Sequence, residues 1–350
     1  TGGCTLIDSL EICTETGIDR DTALRIYQEA KEPIKTLELF KAAYQLKSRV
    51  LGNRVDIIVP SGVILKCKLN PPCRYCSAFK HKPRNFDAIL QAIPALPRLG
   101  INKLLLVGGA NMEGYDEEII ELVGAINRVS SIKIEINFGA SLSRETVQCL
   151  KKMNVIGITS SLEVLNEQIF NHAKPGDSLE QRKGLLQIAE DEGLSIRSFM
   201  MLGLGETDQD RIEHLFYLKS FKQMKHLVLT SFTPSKGTPY GDRLPCPGWD
   251  VARTIAIARL IMPDIGIASA HNTGLSDIPL WYMAGGSECF GVKILETHDL
   301  KLKPGEELIP VNSEVAIISR IPVVRHQLEG MGCMVVFDCK SARLADGEEE

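Results

Sequence analysis

The chain has 350 residues, 44% hydrophobic and 24% charged, with a net charge of −4. That balance describes a compact protein whose partners are not selected by a basic field, which argues against nucleic acid as a ligand. There is no apolar run near the roughly 20 residues that span a bilayer, and the first residues show no basic segment followed by an apolar core, so neither a membrane span nor a leader is expected. The ten cysteines are too scattered for a disulfide framework, so the expected setting is the reducing cytoplasm, away from any membrane.

Helical spacing of apolar residues predicts two helices over 22–30 and 34–44, separated by Pro33, in an N-terminal segment of residues 1–50. From Val55 the rhythm changes. Short aliphatic runs at 55–59, 103–107, 132–136, 155–159, 196–202, 226–230, 265–269 and 288–292 read as strands. Helix candidates lie between them near 86–99, 115–128, 143–152, 179–192, 208–222, 248–262 and 275–284. Strands this hydrophobic, alternating with helices, predict an α/β fold with a parallel sheet, and eight such units favour a closed (β/α)8 barrel of TIM type over 51–300. Residues 301–350 read as a small β-rich extension ending in an acidic tail, Asp346-Gly-Glu-Glu-Glu350.

The unusual residues fall after the strands. Three cysteines, Cys67, Cys73 and Cys76, share the loop after the first strand, and the next cysteine is Cys149. Gly108-Gly109 follows the second strand, Asn137 the third and Glu163 the fourth. Gly203-Leu-Gly205-Glu206-Thr207 follows the fifth, Thr233-Pro234 the sixth and His271-Asn272 the seventh. Carboxyl ends of strands are where barrels build active sites. Three thiolates on one short loop suggest an iron–sulfur cluster with one iron left open for chemistry. The alternative is a zinc knot, which needs four tetrahedral ligands; Cys73-x-x-Cys76 has no second pair, and His81 would have to complete the set.

Cys73-Arg74-Tyr75-Cys76 resembles the C-x-aromatic-C ending of the radical S-adenosylmethionine superfamily. The resemblance implies a 4Fe-4S cluster on Cys67, Cys73 and Cys76, S-adenosylmethionine chelating the fourth iron, and an external one-electron reductant. Reductive cleavage of the sulfonium would then release a 5′-deoxyadenosyl radical and methionine. Tyr75, Gly108, Gly109 and Asn137 would line the cofactor, and Gly205 with Glu206 would lie against its adenine. Ser161-Leu162-Glu163 and Ser178-Leu-Glu-Gln-Arg182 resemble the biotin synthase branch, where the matching acidic residue binds the ribose hydroxyls and the matching Arg the methionyl carboxylate. Similar residues continue through 259–286, so the likeness covers roughly 50–300. The strands ending at Val107, Thr159 and Leu202 lack the cysteines that hold that branch's sacrificial 2Fe-2S cluster, and Asn272 stands where its arginine would be. Sulfur insertion is therefore not expected.

The C-x5-C-x2-C spacing, with Pro71-Pro72 stiffening the longer arm, resembles the HmdB (HcgA) family. That family is linked to the pyridinol part of the iron-guanylylpyridinol cofactor of mono-iron hydrogenase, which implies a small-molecule substrate and other cofactor-assembly proteins as partners. Substrate-side candidates at the barrel mouth are Asn137, Arg197, Thr230, Thr233, His271 and Asn272. Two alternatives stay open: another biotin-synthase-like radical mutase or ligand-biosynthesis enzyme, and a zinc-stabilised barrel that binds a small ligand.

Overall fold

The structure is a computed structural model that describes residues 17–77, 80–140, 142–269 and 277–337. Two helices open it, α1 (Arg20–Glu29) and α2 (Pro33–Leu51). Asp19 caps α1 by accepting the Thr22 N–H, and Pro33 is the first residue of α2, where the missing N–H has no helical partner to lose.

Ten strands form one sheet. They are β1 (Arg54–Ile57), β2 (Pro60–Val63), β3 (Lys103–Val107), β4 (Lys133–Asn137), β5 (Val155–Thr159), β6 (Ser195–Leu202), β7 (Met224–Ser231), β8 (Gly266–Ser269), β9 (Glu288–Cys289) and, from the C-terminal region, β13 (Val336–Phe337). Their order is β13-β1-β9-β8-β7-β6-β5-β4-β3-β2, with parallel pairings. β1 and β2 belong to one bent segment that joins the two ends of the curl: the Ile58 N–H donates to Cys289 O at 2.8 Å, and the Leu105 N–H donates to Val59 O at 2.9 Å. This is the expected TIM-like α/β architecture. Helices between the strands cover its outside: α3 (Phe86–Ala92), α4 (Asp116–Val129), α5 (Arg144–Lys151), α6 (Glu167–Ala173), α7 (Leu179–Asp191), α8 (Asp208–Lys219), α9 (Gly248–Ile261) and α10 (Ile278–Met283).

Strand alternation stacks the interior in layers. Near the N-terminal ends, Arg197 lies between Glu135 and Glu288, at 2.9 Å from each, and His226 Nδ1 lies 2.5 Å from Glu288. Burial alone would raise both glutamates, but Arg197 and His226 hold both below the usual carboxylate range. Arg197 is therefore not at the mouth, as its sequence position suggested. It sits low in β6 with its charge already matched. The next layer is apolar, built from Ile58, Leu105, Val228 and Ala268 with Phe199 and Val107 against them. Above it the carboxyl ends open toward the cysteine loop.

The eighth expected strand, 288–292, is divided. Only β9 joins the barrel, and β10 (Val292–Glu296) pairs antiparallel with β12 (Val315–Ser319), which also pairs with β11 (Glu307–Pro310). The β-rich extension thus begins at Val292 and continues through α11 (Ile321–Glu329) to β13. The acidic tail lies outside the described residues.

Candidate active site at the cysteine loop

The loop after β2 is tied down along its length. The Gly109 N–H donates to Leu65 O at 2.9 Å, the Lys68 N–H to Ala110 O at 2.8 Å and the Arg74 N–H to Ala173 O at 2.8 Å, while the Tyr115 hydroxyl donates to Lys66 O. Two glycines make this approach sterically feasible. A Cβ on Gly109 would lie 2.2 Å from Cys67 N, and one on Gly176 would lie 2.2 Å from Pro71 O. Gly108 has a separate reason to lack a side chain, since a Cβ there would lie 2.2 Å from the Phe138 ring. Of the pair predicted from sequence to meet a cofactor, Gly109 therefore first serves to seat Cys67 against the end of β3.

Cys67, Cys73 and Cys76 are half-buried. Burial pushes the Cys73 thiol up to about 12, against the pull of Lys174. Three thiols on one anchored loop, with Gly109 as a cradle that a Cβ would fill, suit the donor chemistry of an iron–sulfur cluster. Among the described residues no three His, Cys, Asp or Glu side chains stand ready to share one metal ion. His81 is exposed.

Beside the loop lies a buried charge cluster. Asp177 accepts from Lys174 Nζ at 2.8 Å and from Arg182 Nη2 at 2.6 Å, and Arg182 Nη1 donates to Ser161 O at 2.6 Å. Asp177 is held far below its ordinary value because Lys174 and Arg182 outweigh the effect of burial. The paired Nε–Nη2 edge of Arg182 is thus taken by Asp177, and Nη2 also faces Gly139, where a Cβ would stand 3.2 Å away. Glu163 has a left-handed backbone, φ 60, which is rare for a residue with a side chain. Its N–H donates to Phe199 O at 2.9 Å, and its carbonyl accepts the Met201 N–H at 2.8 Å. Burial raises its carboxyl above the usual value, with Lys174 and Arg182 partly offsetting the rise.

The Gly-Leu-Gly turn after β6 is organised from within. Glu206 accepts the N–H groups of Gly203, Leu204 and Gly205 at 2.9, 2.9 and 3.1 Å and pairs with Arg211 at 2.7 Å. Its carboxylate folds the turn and does not face outward, which corrects the expectation that it contacts a cofactor. Gly205 is exposed, with φ +119 and nothing within 4 Å of a notional Cβ, so its backbone face is open. Thr207 begins α8 with a capping box to Asp210.

Asn137 is half-buried at the end of β4, Thr230 is buried near the end of β7 and Thr233 is exposed beyond it. His271 and Asn272 lie outside the described residues. Sequence reasoning missed Lys174 and Asp177. A Lys-x-x-Asp pair ahead of a helix reads as an ordinary turn, and only the fold brings it against Arg182 and the cysteine loop.

The Radical SAM superfamily model matches residues 63–218. Over that stretch the chain is similar to radical SAM domains. That likeness indicates an enzyme whose cofactors are a 4Fe-4S cluster and S-adenosylmethionine. Enzymes of this kind act on small substrates and need a reductant. The chain is 28% identical over 299 residues to an uncharacterized protein of Methanocaldococcus jannaschii, covering 82% of this chain and 78% of that one. It is 28% identical over 318 residues to a biotin synthase of Clostridium tetani, covering 85% and 94%. In fold it matches methylornithine synthase (PylB) with a TM-score of 0.74 at 18% identity, covering 95% of this chain and 98% of that one. It also matches HydG, a maturase of the [FeFe]-hydrogenase, with a TM-score of 0.70 at 18% identity, covering 81% and 67%. Among the described residues no helix is long and apolar enough to cross a membrane.

Proposed function

We propose that Cys67, Cys73 and Cys76 hold the cluster, and that the enzyme acts in the cytoplasm to make the pyridinol part of the iron-guanylylpyridinol cofactor of mono-iron hydrogenase, as a protein of HmdB (HcgA) type. The cluster assignment is carried by the seating of the three-cysteine loop on Gly109 at the carboxyl end of the barrel. The narrower assignment rests on the C-x5-C-x2-C spacing within a chain related to biotin synthases.

When bound and reduced, the cluster supplies one electron that cleaves S-adenosylmethionine to methionine and a 5′-deoxyadenosyl radical. The chain's own work is to bind, orient and exclude water. Glu163, held in place by its backbone hydrogen bonds to Phe199 and Met201, accepts hydrogen bonds from the two ribose hydroxyls. Lys174 and Arg182 provide the positive surroundings for the methionyl carboxylate, and Gly205 offers its open backbone to the adenine. An external reductant and other cofactor-assembly proteins are the partners in this reading. A rearrangement of another small molecule would use the same machinery, and the fold likeness to methylornithine synthase keeps that second reading alive. Analysis of the product separates the two.

The test is anaerobic reconstitution with iron and sulfide, reduction in the presence of S-adenosylmethionine, and assay of 5′-deoxyadenosine beside a Cys73→Ala control. Wild type is expected to yield the nucleoside and the variant none. Zinc in place of iron, with no nucleoside from either protein, would return the chain to the zinc-stabilised barrel.

A further inference from the structure

The buried hydroxyls that the strands turn toward the helices have partners. Ser160 Oγ donates to Arg182 O, Ser198 Oγ to Ser160 O and Ser231 Oγ to Cys246 O, each at 2.8 Å. Two threonines on the inner face do not. Thr159 Oγ1 and Thr230 Oγ1 have no hydrogen-bond partner, although the residues are only 1% and 6% exposed. Ser195 Oγ shares this condition, but at the opposite, N-terminal end of β6. The direction of both threonines follows from strand alternation. Thr159 lies two residues past Gly157, whose notional Cβ would stand 3.2 Å from Glu135 Cγ in the interior ion layer. Thr230 lies two residues past Val228, a member of the inner apolar layer.

Buried hydroxyls are normally bonded, and an unpaired one marks a strain, a water or a ligand that belongs there. Here two stand on β5 and β7, the strands flanking β6, so about 10 Å of sheet separates them. That is the width of one ring or a short chain with a hydrogen bond at either side. Half-buried apolar side chains, Val107, Phe199 and Met201, share the inner face with them. Among the described inward-facing strand residues above the ion layer none is charged. The charges below are already matched between Arg197, Glu135, Glu288 and His226.

We propose that Thr159 and Thr230 anchor the deep end of the substrate, and that this end is uncharged: a compact apolar body carrying carbonyl, hydroxyl or ring-nitrogen groups. A threonine hydroxyl both donates and accepts, so it serves any of these groups. A carboxylate or ammonium at the same depth would be buried without a counter-charge. The proposal rests on the barrel interior being the substrate chamber of the radical enzyme.

The test uses wild-type, Thr159→Val, Thr230→Val and doubly substituted protein, each reconstituted anaerobically and loaded with S-adenosylmethionine without reductant. Valine keeps the shape and removes only the hydroxyl. Binding of 2-pyridone, uncharged, and of picolinate, a pyridine ring that carries a carboxylate, is followed by saturation-transfer NMR and titration calorimetry, with melting temperature in parallel. Wild type is expected to prefer the pyridone, each single variant to weaken it at least about fivefold by losing one hydrogen bond, and melting temperatures to hold or rise. No pyridone binding by wild type, equal binding by the variants, preference for picolinate, or a clear drop in melting temperature on losing the hydroxyls would each overturn the proposal. The 5′-deoxyadenosine yield of the same wild-type preparation, measured separately after reduction, reports on the radical reading itself.

Discussion

At the scale of single residues, the site joins a strained acid to a matched triad. Glu163 adopts a backbone that an ordinary glutamate avoids, and burial raises its carboxyl even with Lys174 and Arg182 nearby. If its ionised form accepts the ribose hydroxyls, Glu163→Gln loses charge-assisted hydrogen bonds worth about 1.5–3 kcal/mol. S-adenosylmethionine should then bind at least about tenfold more weakly. A pH signature accompanies the loss: wild-type affinity falls as acidification protonates a carboxyl whose pKa is raised, while the Gln variant stays flat, as calorimetry of S-adenosylmethionine binding would show. Asp177 works in the opposite sense. Its folded pKa lies below the unfolded value, so the ionised form stabilises the fold at neutral pH, and that contribution fades as pH falls below about 4. Asp177→Asn leaves Lys174, 3% exposed, and Arg182, 5% exposed, without their shared anion. A loss of about 3–5 kcal/mol is expected at pH 7. Urea titrations of both proteins should show the difference shrinking in acid, and a constant difference would mean that the triad is not what Asp177 stabilises.

At the scale of elements, the cysteine loop and β3 were both legible as sequence, but their contact was not. The aliphatic runs gave β3 and β5 at 103–107 and 155–159, because strands buried on two faces need little besides apolar side chains. Helix ends were readable where a cap or a proline announced them, as at Thr207 and Pro33. α6 and the division of the eighth strand were not, since a seven-residue helix and a two-residue strand have too few positions to show a period. Arg197 was singled out as a substrate-side candidate, but alternation alone did not say at which end of the barrel it would lie, and it lies at the closed end with Glu135 and Glu288. Gly109 illustrates the same limit. Its sequence context suggested a cofactor contact, and the packing shows first that no side chain fits between β3 and Cys67. Gly109→Ala should therefore displace the loop: reconstituted protein would hold less than about half the wild-type iron, with far-ultraviolet circular dichroism unchanged, since the closest contact is to backbone that cannot move aside locally. Full iron content in that variant would show that the loop can shift without losing the cluster.

At the scale of the whole molecule, Lys47 stands where the N-terminal helices, the barrel's helical coat and the C-terminal extension meet. It belongs to α2, and its Nζ lies 3.7 Å from the Tyr282 ring centre on α10, with Cys333 close enough to influence it. The side chain is fully buried, and Nζ has no hydrogen-bond partner. Burial, reinforced by Arg259 and opposed by Cys333, lowers its pKa to about 8. A lysine moved that far from its usual ~10.4 carries a penalty on the charged form of roughly 3 kcal/mol. Attraction to a desolvated ring returns about 2 kcal/mol, so the penalty wins by a narrow margin. The sign in pH follows. A folded pKa below the unfolded one means the penalty is fully present below about pH 8 and is relieved as pH rises toward the unfolded value. Lys47→Met, which keeps an unbranched apolar stem, should be more stable than wild type by about 1 kcal/mol at pH 7, the difference left between these two terms. Denaturant curves should show that advantage closing as pH rises toward ~10, where wild-type Lys47 becomes neutral without unfolding. A variant less stable than wild type at pH 7 would mean that the aromatic contact outweighs desolvation, and that the buried ammonium itself holds the three parts of the chain together.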